Sequence, residues 1–407
     1  MSTHPGILKL DLAVRGAVLD ESLRARPDLF RDPAVRGPVT RNVELVLPGD
    51  VLVSAPIDEA FTADSPYVLT VDDDRFYLRF ASEQTEVRVV PPPGYYNQTT
   101  RSGMPMWRVG SSYGPYIAIN PAKRCGFSER GSHCRFCDAS TQGADRDVPI
   151  PVDDVVDTVR AAFADGLIEF VYFHIGYLDT DDAGVLFIEP YVRAIKRNFD
   201  TLVAVQLQPP RENRWIDYLY AIGVDAISYS IEIHDEAILE NVCRGRVEQV
   251  GRQRYYDALA HAAAVFPNGT VWSDLIIGLE PLESTLAGVD ALVSMGVLPV
   301  LSVFRPLGDT DLRDHPMPTT EEVAPVFAHM FERVREAGIN MNWVRDLSFA
   351  VTPFEARFFS DPNASVPSGL GPLYRSKLGN MAVRNLSRLR RRLRVRQVSN
   401  SYGSSNL

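Results

Sequence analysis

The sequence predicts an α/β fold: a partial (β/α)6 TIM-type barrel with a β-rich region before it and a helical extension after it. Three observations lead to this prediction. Strand-like and helix-like segments alternate six times between residues 115 and 320, the strands are rich in Val, Ile and Tyr, and six repeats are fewer than the eight of a complete barrel. We therefore predict a β-rich region at 1–110, a barrel at 111–320 and an extension at 321–407.

The β-rich region consists of short, β-branched segments separated by turn residues, which is typical of strands. A Pro-Pro-Pro-Gly run at 91–94 ends the region and predicts a linker. The predicted strands are VELVLP (43–48), YVLTV (67–71), FYLRF (76–80) and EVRVV (86–90).

The barrel region supplies the alternating segments. The predicted strands are YIAIN (116–120), FVYFHI (170–175), LVAVQLQ (202–208), AISYSIEI (226–233), VWSDLIIG (271–278) and VLPVLSVF (297–304). The helix-like stretches between them include 152–166, 213–223, 254–266 and 285–296. On the third strand Gln206 and Gln208 alternate with apolar residues, so one face of this strand is polar and points either at a ligand or into a hydrogen-bonded barrel interior.

The extension begins with a predicted helix at 319–337, opened by a Thr cap with acidic residues in its first turn. Farther on, the stretch from Arg375 to Arg396 holds Lys377 and eight arginines but no acidic residue. Such a run is either a solvated helical face or a docking surface for an acidic partner, an electron donor or RNA. The last residues, SNSYGSSNL, have the composition of a disordered segment.

Composition narrows the function classes. The chain has 407 residues, 45% of them hydrophobic and 23% charged, with a formal net charge of −10. An acidic body argues against broad nucleic-acid binding, which needs a basic surface. The first residues contain no apolar signal region and the chain contains no run of 18 apolar residues, so we expect a cytoplasmic protein with no membrane segment.

Three of the four cysteines lie in one loop. Cys125, Cys134 and Cys137 have the spacing C-x8-C-x2-C and follow the first predicted barrel strand, where barrel enzymes place their active sites. Three thiolates hold a four-iron cluster and leave one iron open, which a reactive site requires. The alternatives are a structural zinc with His133 or Cys243 as the fourth ligand, and unligated core thiols.

The cysteine motif in this context resembles the radical S-adenosylmethionine superfamily, and within it the biotin-synthase-like branch. The family places an aromatic residue before its third cysteine, as Phe136 stands here, although its usual spacing is C-x3-C-x2-C. The resemblance implies that the three cysteines bind a [4Fe-4S] cluster. It also implies that S-adenosylmethionine is the second cofactor and is reductively cleaved to a 5′-deoxyadenosyl radical.

The resemblance extends to residues expected to contact S-adenosylmethionine. Gly176 follows the second strand in the place of a glycine-rich stretch, and Glu232 stands on the fourth strand at a position that is polar in relatives. The later segments GRQRYYDAL and IIGLE are similar to family segments that meet the cofactor. The residues that they contribute are Arg252, Arg254, Gly278 and Glu280.

The cysteine count limits the kind of reaction that the resemblance allows. Only Cys243 is left over, so a second cluster is not expected, and the first 110 residues do not have the pattern of a cobalamin domain. What remains is a single-cluster enzyme for a small-molecule substrate, supplied with electrons by a flavodoxin or ferredoxin. Rearrangement, carbon–carbon cleavage, dehydrogenation and cobalamin-free methylation stay open. The alternative is a metal-binding accessory or scaffold protein with a structural zinc and a basic tail that docks a partner.

Overall fold

The computed structural model describes residues 4–24, 26, 41–122, 125–137, 148–166, 168–307, 310–341, 344 and 347–361. In these ranges the chain forms two sheets with helices packed against them. None of the helices there combines the length and the apolar composition that a bilayer crossing requires. The basic stretch from Arg375 to Arg396 lies outside the described residues.

The first sheet has six strands within the described residues, in the order β1-β4-β5-β6-β2-β3. β1 pairs with β4 in parallel, and the other pairs are antiparallel. The strands are β1 (Val18–Leu19), β2 (Asn42–Leu47), β3 (Val51–Pro56), β4 (Tyr67–Asp72), β5 (Arg75–Phe80) and β6 (Glu83–Val90). Four of them overlap the predicted segments. The pattern does not predict β3, which follows β2 through a tight turn with Gly49 and Asp50 at φ 78° and 59°.

The second sheet has seven strands in the order β13-β12-β11-β10-β9-β8-β7, also within the described residues. β8 to β13 are parallel neighbours in chain order, and β7 adds an antiparallel hairpin. The strands are β7 (Ser111–Tyr113), β8 (Tyr116–Ile119), β9 (Phe170–His174), β10 (Leu202–Gln206), β11 (Ala226–Ser228), β12 (Val271–Ile277) and β13 (Leu298–Val303). This is the predicted partial barrel, with six parallel strands and an open side between β13 and β7.

Helices connect the strands of both sheets and pack against them. In chain order they are α1 (Pro5–Arg15), α2 (Glu21–Arg24), α3 (Met106–Val109), α4 (Gly126–Glu129), α5 (Val152–Ala164), α6 (Val185–Asn198), α7 (Arg214–Ile222), α8 (Glu236–Val242), α9 (Arg244–Gln249), α10 (Arg252–Val265), α11 (Leu282–Ser294), α12 (Thr320–Glu336) and α13 (Pro353–Ser360). The helices predicted at 152–166, 213–223, 254–266, 285–296 and 319–337 are confirmed. The predicted Thr cap is Thr319, which forms a capping box with Glu322.

Strand β9 has a buried outer face and a half-buried inner face. On β9 Val171 and Phe173 are fully buried under the helices, whereas Phe170, Tyr172 and His174 are intermediate in exposure and face the barrel interior. The inner face therefore carries the polar and aromatic side chains that a site inside the barrel can use.

The open side of the barrel is covered by the segment 347–355, which lies between β13 and the first sheet. Val351 forms a β-bridge with Leu301 of β13, and the amide of Ser54 in β3 donates to the carbonyl of Ser348 over 2.8 Å. Lys9 of α1 is fully buried and donates to the carbonyl of Leu347 over 2.7 Å. Its ammonium lies 3.1 Å from the carboxylate of Glu355. The two ends of the described chain thus meet at this side.

Candidate functional site

The cysteine loop lies at the carboxyl end of β8, beside the loop that follows β9. The main-chain amide of Tyr177 donates a hydrogen bond to Cys125 Sγ over 3.2 Å, and the amide of Gly126 donates to the carbonyl of Tyr177 over 2.8 Å. A Cβ at Gly176 would lie 2.8 Å from Cys125 Sγ. Only glycine therefore permits this approach. The contact expected between Gly176 and S-adenosylmethionine stays a prediction.

Cys134 and Cys137 lie at the edge of a small apolar cluster together with Cys243. Two main-chain hydrogen bonds join the segments that carry Cys134 and Cys243, from Arg135 to Val242 over 2.9 Å and from Gly245 to Ser132 over 3.1 Å. The Cys243 thiol donates a hydrogen bond to Cys134, and this bond outweighs burial and lowers the pKa of Cys134 to about 6.

Cys137 responds in the opposite direction. Burial, and then the negative charges of Cys134 and Cys125, raise the pKa of Cys137 to about 12. The three thiols of the motif are therefore close enough to interact electrostatically. A positively charged iron centre would offset the repulsion among three thiolates.

Glu232 and Arg246 form a buried ion pair next to the cysteines. Arg246 Nη2 lies 2.9 Å from Glu232 Oε1, and the same guanidinium donates through Nε to Cys134 Sγ over 3.4 Å and through Nη1 to the carbonyl of Ser230. Burial raises the pKa of Glu232 to about 8 against the pull of Arg246. Glu232 also has a φ of 64°, an uncommon conformation for a residue with a side chain, and is held there by a β-bridge to Leu275.

A hydrogen-bonded network continues from this pair across the barrel interior. Ser230 donates to Asp274 Oδ2, which also accepts the Gln206 amide over 3.3 Å. Gln206 donates to Ser230 as well, and its carbonyl oxygen accepts the Tyr172 hydroxyl. Burial raises the pKa of Asp274 to about 6, with the Ser230 bond acting in the other direction. The polar face predicted for the third strand is therefore part of a barrel-interior network.

The remaining sequence-predicted residues lie in the loops around this site and bond to protein groups. Arg252 donates to the carbonyl of His234 over 2.9 Å, and its guanidinium lies 5.0 Å from the ring centre of Tyr256. Arg254 donates to the carbonyl of Pro210 and to the side chain of Asn213, each over 2.7 Å. Their contact with a cofactor stays a prediction.

Gly278 and Glu280 follow β12. Gly278 has a φ of 104°, and its carbonyl oxygen lies 3.1 Å from His315 Nε2. Glu280 Oε2 accepts the amides of His234 and Asp235 over 2.9 and 2.6 Å, just before α8. Phe136 packs against the apolar cluster that holds Cys134. The expected cofactor contacts of these residues also stay predictions.

Two charged residues of the site, Arg246 and Asp274, do not stand out in the sequence reasoning. Asp274 has a signal, because a carboxylate inside the apolar run VWSDLIIG needs a polar partner when it is buried. Arg246 has a weaker one, because it follows Cys243 in a stretch of mixed charge that reads as a helix surface. Its role depends on α9 packing across the end of β11, which no local pattern encodes.

The donor set of the loop fits an iron–sulfur cluster. Cys125 and Cys134 each accept a hydrogen bond from an N–H group, which stabilises a thiolate ligand. Within the described ranges no three His, Cys, Asp or Glu side chains are grouped to hold a single metal ion.

Comparison with known proteins connects this loop to a family. A curated relative, the bacteriochlorophyllide c C-7(1)-hydroxylase of Chlorobaculum limnaeum, is 23% identical over 120 residues, which are 29% of this chain and 30% of that protein. Solved structures with similarity include methylornithine synthase, at 13% identity and a TM-score of 0.43 over 54% of this chain and 63% of that one. Another is Streptococcus suis SuiB bound to S-adenosylmethionine, at 12% identity and a TM-score of 0.42 over 56% and 49% of the two chains.

The chain thus spans less than a third of the length of that curated relative. A longer stretch, residues 119–286, matches the family model of the Radical SAM superfamily. This stretch begins at the end of β8, includes the three-cysteine loop and runs through β12 into α11. Residues 119–286 are therefore a radical S-adenosylmethionine domain.

Proposed function

We propose that this protein is a radical S-adenosylmethionine enzyme that holds a [4Fe-4S] cluster on Cys125, Cys134 and Cys137 and acts on a small-molecule substrate. The observation that carries the proposal is the pair of N–H donors aimed at two of these sulfurs, from Tyr177 and Arg246. When bound, the cluster supplies one electron that cleaves S-adenosylmethionine to methionine and a 5′-deoxyadenosyl radical.

The residues around the loop have separable roles in this proposal. Gly176 and Tyr177 let the main chain approach Cys125 and stabilise its thiolate. Arg246 stabilises the thiolate of Cys134 and at the same time fixes the position of Glu232. Glu232 stands between the cysteines and the barrel interior, where a carboxylate can accept hydrogen bonds from the polar groups of S-adenosylmethionine.

The substrate reaction is proposed only as a class. Gln206, Ser230 and Asp274 place polar groups inside the described part of the barrel, where a small molecule could form hydrogen bonds with them. The chain has one cysteine beyond the motif. Rearrangement, carbon–carbon cleavage, dehydrogenation and cobalamin-free methylation all need the one cluster that the motif provides.

The test is anaerobic reconstitution followed by an assay for 5′-deoxyadenosine. We expect about four irons and four sulfides per chain, because three cysteines in one loop bind one cubane. With dithionite as reductant, S-adenosylmethionine should yield 5′-deoxyadenosine. When a panel of metabolites is tested, the one that is the substrate should accelerate the formation of 5′-deoxyadenosine. Stoichiometric zinc without iron would overturn the proposal and favour a structural metal site in a scaffold protein.

We further propose that a flavodoxin or ferredoxin supplies the electron and that the basic stretch from Arg375 to Arg396 attracts it. The stretch is positively charged in a chain with a net charge of −10, and these carriers are typically acidic. Deleting 375–407 should slow turnover with the protein donor at low salt but not with dithionite. Equal slowing with both donors would contradict a docking role.

A further inference from the structure

A small cavity lies inside the barrel on the amino-terminal side of the polar network. Its volume is about 40 Å³. The residues that line it include Tyr116, Phe170, Tyr172, Ala204, Trp272, Asp274 and Phe349. At about 10–15 Å³ for each water-sized group, this space holds roughly three such groups. The cavity therefore suits one end of a small molecule and not a whole substrate.

The walls of the cavity are aromatic. The rings of Tyr116 and Phe170 are stacked with centres 5.2 Å apart, and Tyr116 also meets the edge of Phe349 at 6.4 Å. The Tyr172 ring centre lies 5.8 Å from that of Tyr116 and 6.1 Å from that of Trp272. Aromatic rings attract a cation through their quadrupoles where a ring face is free to meet it, and most strongly where water is excluded.

Asp274 is the one charged side chain among the described residues that line the cavity. The hydrogen bonds from Ser230 and Gln206 both reach Oδ2 and come from neutral groups. The nearby guanidinium of Arg246 makes its bonds to Glu232, Cys134 and Ser230. Two carboxylates thus share one guanidinium in this interior, and an ionised carboxylate without a cation is costly there.

The cavity is in line with the cysteine loop. Tyr172 is on its wall, and four residues farther along the same chain Gly176 contacts Cys125. Four residues of extended chain span about 13 Å. The cavity therefore lies about 13 Å along β9 from the residue that contacts Cys125.

We propose that this cavity binds the ammonium end of the substrate, with Asp274 as the counter-ion and the aromatic rings as its walls. The substrate class is a small molecule with a protonated amine at one end. This inference rests on the proposed function, which supplies the reaction, but the cavity can be tested without that reaction.

The test uses n-butylammonium as the probe, n-butanol as its neutral isostere and butyrate as an anion of similar size. Binding to the full-length protein, purified anaerobically, is measured by ligand-observed NMR titration. We expect n-butylammonium to bind in the millimolar range, at least about tenfold more tightly than either of the other probes. Asp274→Asn should remove this preference, whereas Asp290→Asn, which changes a carboxylate on α11 outside the cavity, should preserve it.

A second variant keeps the test decisive where Asp274→Asn reduces folding. Ala204→Val adds volume to the cavity wall and keeps the carboxylate, so it should weaken n-butylammonium binding as well. Equal binding of butylammonium and butanol, or a preference that survives Asp274→Asn, would overturn the inference. Iron content and uncoupled formation of 5′-deoxyadenosine, measured on the same samples, report on the proposed function separately. If both are normal while the probes show no preference, the substrate class alone is wrong.

Discussion

Glu232 and Arg246 lie 2.9 Å apart, with only 11% and 10% of their side chains exposed, at the point where the cysteine loop meets the barrel interior. Replacing Glu232 with Ala should weaken S-adenosylmethionine binding about tenfold or more while iron content stays unchanged, because Arg246 keeps its bond to Cys134. Titration of the reduced cluster with S-adenosylmethionine, followed by electron paramagnetic resonance, measures this. An unchanged affinity would give Glu232 a purely structural role.

The four cysteines should separate into two classes. Cys125→Ala, Cys134→Ala and Cys137→Ala should each abolish 5′-deoxyadenosine formation and lower iron content. Cys243→Ala removes a hydrogen bond to Cys134 but no motif ligand, so it should retain about four irons per chain. Loss of the cluster in Cys243→Ala alone would contradict the assignment of the three ligands.

Gly176→Ala should prevent cluster assembly without unfolding the barrel. The added Cβ would lie 2.7 Å from Cys125 Cβ and 2.8 Å from its Sγ, so the loop must move. Gly131→Ala is the matched control, because its Cβ meets nothing within 4 Å, although its positive φ costs about 1 kcal/mol. Iron content and circular dichroism of the two variants distinguish a local effect from global unfolding. Normal iron content in Gly176→Ala would show that the loop tolerates the displacement.

Asp274 should make the stability of the protein depend on pH. Burial raises the pKa of Asp274 from 3.8 to about 6, so the folded state binds a proton more tightly than the unfolded state. The stabilisation is complete below pH 3.8 and is lost as the pH rises through 6. Asp274→Asn should therefore gain stability relative to the parent between pH 4 and 7, by up to about 3 kcal/mol.

Denaturant unfolding of both proteins at pH 4 and pH 7 measures this difference. If the two proteins differ in free energy of unfolding by the same amount at both pH values, the ionised Asp274 carboxylate does not destabilise the folded state. If the difference is larger at pH 7 than at pH 4, the protein retains a carboxylate that lowers its stability, as binding sites often do.

Removing one partner of the buried pair of Lys9 and Glu355 should strongly destabilise the protein. Lys9→Ala leaves the carboxylate of Glu355 buried without its cation, which costs about 3–5 kcal/mol. The double variant Lys9→Met with Glu355→Gln should recover part of this loss because it removes both charges. Thermal unfolding of the two variants measures the difference. A double variant as unstable as Lys9→Ala would show that lost packing, and not the unpaired charge, is responsible.

Local pattern was sufficient for the elements of the barrel. The six parallel strands and the helices around them follow from alternation, β-branched content and caps such as Thr319, all of which act within a few residues. The cysteine spacing likewise predicts a metal-binding loop, and its cysteines lie beyond the end of β8. These features can be predicted from the sequence because the interactions that determine them lie within the same short segment.

The pairing of Glu232 with Arg246 is legible only in part. A carboxylate on an apolar strand signals a partner, but fourteen residues and a change of direction separate it from the guanidinium. The sequence favoured Arg252 and Arg254, whose guanidinium groups bond to loop carbonyls in the structure. The local sequence does not show which of Arg246, Arg252 and Arg254 reaches the site. Only the packing of α9 and α10 distinguishes them.

The segment 347–355 has a consequence for how the chain reaches its folded state. Leu347 and Phe349 form part of the cavity wall. Lys9 donates a hydrogen bond to the carbonyl of Leu347, which lies 338 residues farther along the chain. Contacts this remote in sequence form late and slow the overall rate. During synthesis α1 and the edge of β13 must therefore wait for segment 347–355 to leave the ribosome. Until then the uncovered edge of β13 can pair with another nascent chain, and chaperones can bind there.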